Sequence, residues 1–276
     1  SGFYSATTRR LHFTVPASAP QLYYWCSVHS GMGGQINTNT TLGSSNFDGT
    51  TQSTVKVSAI SGFSIVSYEG TGSTATIGHG LGVAPKVVIV KRRSATEDWI
   101  VGIGPILGSG EEGHYVKLNS DAAKATGNGP FNSTNPSSSV VTLGTDVATN
   151  GSSSTYISYC FSEVAGYSKF GSYIGNGSSD GTFVFTGFRP ALIIWKKTSG
   201  TTGWYMMDNK RNTFNIVNKF LRPNTNNAEN TATTAIADFL SNGFKLRGSG
   251  GSVNQSASTY IYLAFAESPF KNARAR

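Results

Sequence analysis

The chain has 276 residues, enough for about two domains of ordinary size, and carries a formal net charge of +8 with only 13% charged residues. No apolar run is long enough to cross a bilayer as a helix, and two cysteines are too few for a disulfide framework. Lys and Arg are dense only at "KRR" (91–93), "KK" (196–197) and the final "KNARAR", short of the concentrated basic face that nucleic-acid binding uses, so neither membrane nor nucleic acid is expected as a partner.

The opening "SGFYSATTRRLHF" lacks the apolar core of a signal peptide and reads as though the chain starts part-way through a strand-rich unit. "LHFTVPASAPQLYYWC" then predicts strand, Pro-containing turn, strand: a hairpin turning near Ala17 and Ser18, followed by the polar connector "NTNTTLGSSNFDGTTQSTVKV". A hairpin alone is marginal in water, so residues 1–60 are expected to pack on a module, on another chain or on a preceding N-terminal part. Within them, "YYWCSVHSGMGG" sets Cys26, His29 and Met32 at the Cys-x2-His-x2-Met spacing of a short blue-copper ligand loop, which also needs a second His. His12, across the hairpin from about residue 25, is the imidazole within reach. A lone hairpin supplies neither shielding nor groups to orient the ligands, and Arg9 and Arg10 repel a cation. The expectation is a structural turn without copper or any other cofactor, its Gly31, Gly33 and Gly34 suiting a tight bend and Tyr24 and Trp25 packing it onto a neighbour.

From residue 61 the chain repeats itself. "SYEGTGSTATIGHGLGVAPKVVIVKRRSATEDW" (67–99) matches "SYIGNGSSDGTFVFTGFRPALIIWKKTSGTTGW" (172–204) without a gap, and "STYISYCFSEV" (154–164) returns as "STYIYLAFAES" (258–268). Two tandem modules follow, 61–166 and 167–276. Gly70-x-Gly72 and Gly175-x-Gly177 suit turns after strands ending at Tyr68 and Tyr173, and Pro85 and Pro190 precede strands whose first position can forgo a ladder donor. "KVVIV" and "ALIIW" are almost continuously apolar, as in strands covered on both faces, whereas the closing strands alternate, with Ile157, Tyr159 and Phe161 and their counterparts Ile261, Leu263 and Phe265 sharing a half-buried face. Short strands separated by Gly/Ser/Asn turns make the protein all-β, with each module a two-sheet sandwich of jelly-roll or lectin-like type. Cys160 faces Ala264 across the repeat, so it is expected to be a buried free thiol.

Catalytic sets are sparse. There is no Gly-x-Ser-x-Gly elbow and no phosphate-binding glycine motif. His79 in "IGHGLG" corresponds to Val184, which suits a histidine that packs a turn, and His114 in "EEGHYVK" suits a solvated loop. Glu97–Asp98 and Glu111–Glu112 could serve glycoside hydrolysis, but neighbours on a strand point to opposite faces. The binding candidates are better: "GWYMMDNKRNTFN" sets aromatics beside polar side chains, the composition of sugar and protein contact surfaces. Tyr173, Tyr205, Asp208, Asn209, Lys210 and Arg211 are the contact candidates, while the recurring Trp99 and Trp204 are expected in the core.

"LYYWCSVHSGMGGQINT", "SSNFDGTTQSTVK", "GFSIVSYEGTGSTATIGHGLGVAPKVVIVKRR" and "SNGFKLRGSG…STYIYLAFAESPFKNARAR" resemble tail and other virion structural proteins of marine tailed bacteriophages. The resemblance implies two copies of a family domain of unknown function, and an N-terminal segment resembling the end of a cupredoxin-like sandwich. It implies a non-enzymatic component of the virion tail or fibre, acting in host-surface attachment or assembly. The expected partners are other virion proteins and a host glycan or protein receptor, with trimers suggested by fibre architecture. The alternatives are a polysaccharide-degrading tailspike enzyme and a copper-binding, cupredoxin-like secreted protein.

Overall fold

The computed structural model describes residues 22–25, 28, 33–36, 43–126, 128–234 and 236–268. The chain forms two compact units, 1–45 and 46–276. In the first, β1 (Leu22–Trp25) pairs antiparallel with β2 (Gly33–Ile36), Leu22 opposite Ile36 and Trp25 opposite Gly33. The "LYYW" arm thus closes on the glycines that follow it. Gly34 makes room for this, since a Cβ there would meet the Tyr24 ring at 2.9 Å. Tyr23 and Tyr24 are exposed, so Tyr24 covers its own hairpin. Cys26, His29, Met32 and His12, as well as the expected first arm at 11–15, lie outside the described residues.

After β3 (Ser44–Asn46), the first repeat comprises β4 (Ser53–Ser58), β5 (Phe63–Glu69), β6 (Ala75–Gly78), β7 (Val87–Arg92), β8 (Ile100–Gly102), the one-turn helix α1 (Gly104–Leu107), β9 (Tyr115–Lys117), α2 (Asn128–Phe131), β10 (Val140–Leu143), α3 (Val147–Asn150) and β11 (Thr155–Phe161). The second comprises β12 (Ser168–Ile174), β13 (Phe183–Phe185), β14 (Pro190–Lys197), β15 (Tyr205–Asp208), β16 (Lys219–Phe220), β17 (Asn230–Thr231), β18 (Ala237–Leu240), β19 (Gly243–Leu246) and β20 (Thr259–Ala266). The described residues are thus nearly all β, in antiparallel sheets. β4–β5–β11–β7–β8–β9 lie side by side in the large sheet of the first repeat, and β12–β20–β14–β15 in that of the second. Each large sheet packs on a smaller one, β6–β10 and β13–β19–β18 respectively.

The closing strands keep equivalent partners in the two repeats. Tyr156 lies opposite Tyr68 and Arg92, and Tyr260 opposite Tyr173 and Lys197. Cys160 lies opposite Val88, as Ala264 lies opposite Ile193; both are buried, and Cys160 is a free thiol. One expected boundary moves. The polar connector yields β4, which pairs with β5 and buries Val55, so residues 46–58 belong to the first sandwich.

A third apolar cluster joins the repeats. Val87, Val101, Ile103, Ile106 and Val116 of the first meet Phe170, Trp204, Ile261 and Leu263 of the second. This accounts for the continuous hydrophobicity of β7: Val88 and Val90 face the core of their own sandwich, and Val87 faces the seam. The alternation expected of β11 is present as well. Tyr156, Ser158 and Cys160 are fully buried inside the sandwich, while Ile157, Tyr159 and Phe161 form the partly covered outer face. Hydrogen bonds line the seam as well: Lys124 N–H donates to Thr198 O (2.8 Å), Thr202 N–H to Asp121 O (2.9 Å) and Trp204 Nε1–H to Lys117 O (2.8 Å).

Candidate binding surface

The polar side chains that recur in both repeats are spent on the fold. Asn150 donates to Ser73 O and Gly144 O and accepts from Thr71 N–H; Asn254 donates to Ser178 O and Gly248 O and accepts from Asn176 N–H. Tyr68 and Tyr156 stack at 5.2 Å, and Tyr173 and Tyr260 at 5.1 Å. Their hydroxyls donate to turn carbonyls, Tyr68 to Thr149 and Tyr156 to Val147, Tyr173 to Val253 and Tyr260 to Gly251. Gly72 (φ +75°) and Gly177 (φ +70°) take the left-handed turn position, and their N–H groups donate to the carbonyls of Asn150 and Asn254. This clamp ties the end of each first strand to the turn before the closing strand. Tyr173 is therefore a core residue, not a surface contact, and burial lifts its phenol well above the usual range.

The remaining candidates cluster at one corner of the second repeat. Tyr205 is buried too, its ring 4.8 Å from Phe220 and its hydroxyl donating to Ser252 Oγ. The Arg222 guanidinium lies 5.0 Å over the Tyr205 ring, a cation–π contact, and donates to its oxygen at 2.7 Å. Asp208 Oδ1 accepts from the Lys210 and Arg211 N–H groups, and Oδ2 from Arg211 Nε at 2.6 Å. Burial works to raise this carboxyl, but these donors outweigh it and hold it below its ordinary value. Arg211 also lies 3.6 Å from Glu229, itself 3.7 Å from Lys219. Asn209 is buried and donates to Glu267. Lys210 is exposed. The corner is thus a braced, half-exposed ion-pair lattice with Lys210 at its rim. At the equivalent place the first repeat has Ile103, Gly104, Pro105 and Ile106, apolar because they enter the seam. Arg222, Lys219 and Glu229 were not singled out from sequence, since the repeat gives them no matching partners.

Other candidates resolve differently. His79 is fully buried in the slot that Val184 fills in the second repeat. Leu81 N–H donates to its Nδ1, so Nε2–H donates to Ser137 O, and burial lowers its pKa. His114 is not a solvated side chain: its Nε2 lies 3.1 Å from Glu111 Oε2, and it lines a narrow cleft with Phe131 and Asn135. The two acid pairs sit in loops rather than on strands, and each carboxylate has a partner. Glu97 pairs with Arg92, Asp98 with Lys117 and Asn119, Glu111 with Lys124 and His114, and Glu112 accepts from Gly110 N–H. No group of three or more potential metal ligands occurs among the described residues. Trp204 is buried in the seam, whereas its counterpart Trp99 is half-buried.

A family model described as a domain of unknown function (DUF7483) matches residues 37–269, and the chain belongs to that family. One match runs through both repeats, in keeping with the seam that joins them. No curated protein and no solved structure matches the chain.

Proposed function

We propose that this DUF7483 protein is a non-enzymatic structural component of a tailed-phage virion, associated with the tail or fibre, that works by binding a host-surface molecule or a neighbouring virion protein. The observation that carries the reading is the division of labour between the repeats. Their shared polar residues build the clamp, and the two acid pairs, both in the first repeat and without counterparts in the second, are held in ion pairs and hydrogen bonds. What varies between them is the equivalent corner: buried and apolar in the seam at 103–106, charged and half-exposed at 208–211. The resemblance of the quoted segments to tail and virion proteins supplies the biological setting. The experiment is twofold: gold-labelled antibody against the chain should decorate the tail or fibre of intact particles, and the purified chain should bind host envelope without releasing reducing sugar ends. Sugar release would favour the tailspike reading, and unlabelled particles would remove the virion setting.

A further inference from the structure

The repeats differ at one flank. In the first, residues 46–58 run along the edges of both sheets: β4 pairs with β5, while Thr50 and Thr51 N–H donate to Thr76 O (3.1 and 3.0 Å) and Ser53 Oγ donates to Gly78 O (2.8 Å). Gly78 and Gly80 are bare where this segment crosses them; a Cβ on Gly80 would meet Val57 at 2.8 Å. The second repeat has no such strand, because the residues before β12 are already used in β11. Where the first repeat has Gly78-His79-Gly80, the second has Phe183-Val184-Phe185, with Phe183 43% and Phe185 63% exposed. Leu246 N–H donates to Thr182 O and Thr186 N–H to Asn242 O, both at 3.0 Å. In an antiparallel ladder this phase turns Val184 toward β19 and the N–H and C=O groups of Phe183 and Phe185 off the sheet edge, where no partner meets them among the described residues.

We propose that this edge is where two copies of the chain meet, β13 pairing antiparallel with β13 of the second copy about a two-fold axis at Val184. Two outward residues separated by one inward residue are self-complementary in this arrangement. Phe183 exchanges both backbone bonds with Phe185 of the other copy, and Phe185 with Phe183. The pleat puts all four rings on one face as cross-strand aromatic pairs. Continued past the strand, this register sets residue 180 of one copy opposite residue 188 of the other, next to Arg189. Asp180 bridges to Lys245 and Arg247 of its own chain and Arg189 to Glu267, so side chains of opposite charge approach at each end of the contact. An apolar edge strand left uncovered is a template for strand pairing, and the occupied edge of the first repeat shows that this scaffold accepts an extended segment there. The contact is isologous, so by itself it makes a dimer and not the trimer that fibre architecture suggests; it holds whether or not the chain is a virion protein.

Sedimentation velocity over a concentration series on the full chain tests this. A monomer–dimer equilibrium is expected, with the dimer Kd raised at least about tenfold in a Phe183→Lys, Phe185→Lys variant, which removes both cross-strand aromatic pairs. A second measurement reads the register directly. In a Cys26→Ser background, Phe183→Cys and Phe185→Cys proteins should form a disulfide dimer when mixed and oxidised, but not when oxidised separately. A chain that stays monomeric at its highest soluble concentration, or dimers indifferent to both lysines, would overturn the proposal. So would cross-linking in the separate samples but not in the mixture.

Discussion

The indole Nε1 of Trp204 donates to the backbone carbonyl of Lys117 at 2.8 Å, so a side chain of the second repeat caps a strand end of the first. Its repeat counterpart, Trp99, keeps the local bond, its N–H donating to Asn119 as that of Trp204 does to Asn224, but remains half-buried. Trp204→Ala should therefore cost about 3–5 kcal/mol, as for a buried aromatic that leaves a cavity. Trp99→Ala should cost about 1 kcal/mol, the ordinary value for a point change. Urea unfolding of both variants measures the gap, and equal losses would mean that the seam adds nothing.

The clamp asparagines give a second prediction. Asn150→Ala strands Ser73 O, Gly144 O and Thr71 N–H, and Asn254→Ala strands the matching groups of the second repeat. Thr71, Ser73, Asn176 and Ser178 are exposed and can turn to water, whereas Gly144 and Gly248 are buried, so at about 1–3 kcal/mol per unsatisfied buried group each variant should lose about 1–3 kcal/mol. Because the seam couples the repeats, either loss should shift one cooperative transition. Two separated transitions, recorded by tryptophan fluorescence and circular dichroism, would contradict the coupling.

Lys196 is fully buried and donates to the carbonyls of Asp121 and Lys197, with burial lowering its pKa to about 8. Below pH 8 the ammonium is charged in both folded and unfolded chains, and its burial penalty is constant. Above pH 8 the folded chain releases the proton, while the unfolded chain holds it to about pH 10.4. The unfolded state then binds more protons, so stability should rise with pH, by up to about 1.4 kcal/mol per pH unit. Buried Tyr68 and Tyr173, whose phenols are raised by burial, reverse the trend once unfolded tyrosines ionise near pH ~10. Denaturation curves between these limits should show the rise in the native chain and a flat response in Lys196→Met.

Cys160 should be chemically silent in the folded state. Burial raises its thiol to about 11, and the thiolate is the reactive form. In a Cys26→Ser background, a thiol reagent at neutral pH should leave the native chain unlabelled and titrate one thiol after denaturation. Cys160→Ala, which copies Ala264, should cost about 1 kcal/mol. Rapid native labelling would refute the buried placement.

The sequence made the large features legible because duplication turns weak signals into paired ones. Tyr68 with Tyr173, and Gly72 with Gly177, stood out by recurrence and proved to be parts of one clamp. Asn150 and Asn254 recur equally and could have been found the same way. What escaped was whatever depends on the neighbour across the seam. Alternation on β11 shows that two faces differ, not which one meets the small sheet. Nor does "WYMMDNKRN" disclose that Tyr205 is buried while the charges after it line the surface. Gly78 and Gly80 against Phe183 and Phe185 was the clearest unread contrast, two bare positions in one copy facing two large apolar ones in the other.

The large sheets meet at the seam through their outer sides but not through the same strands: the first repeat brings Val87, Val101, Ile103, Ile106 and Val116 from β7 to β9, the second Phe170, Ile261 and Leu263 from β12 and β20, with Trp204 beside them. Two copies of one design therefore meet through unlike halves, and the contact is asymmetric although the repeats are duplicates. One repeat expressed alone would leave its half of the seam unsheltered.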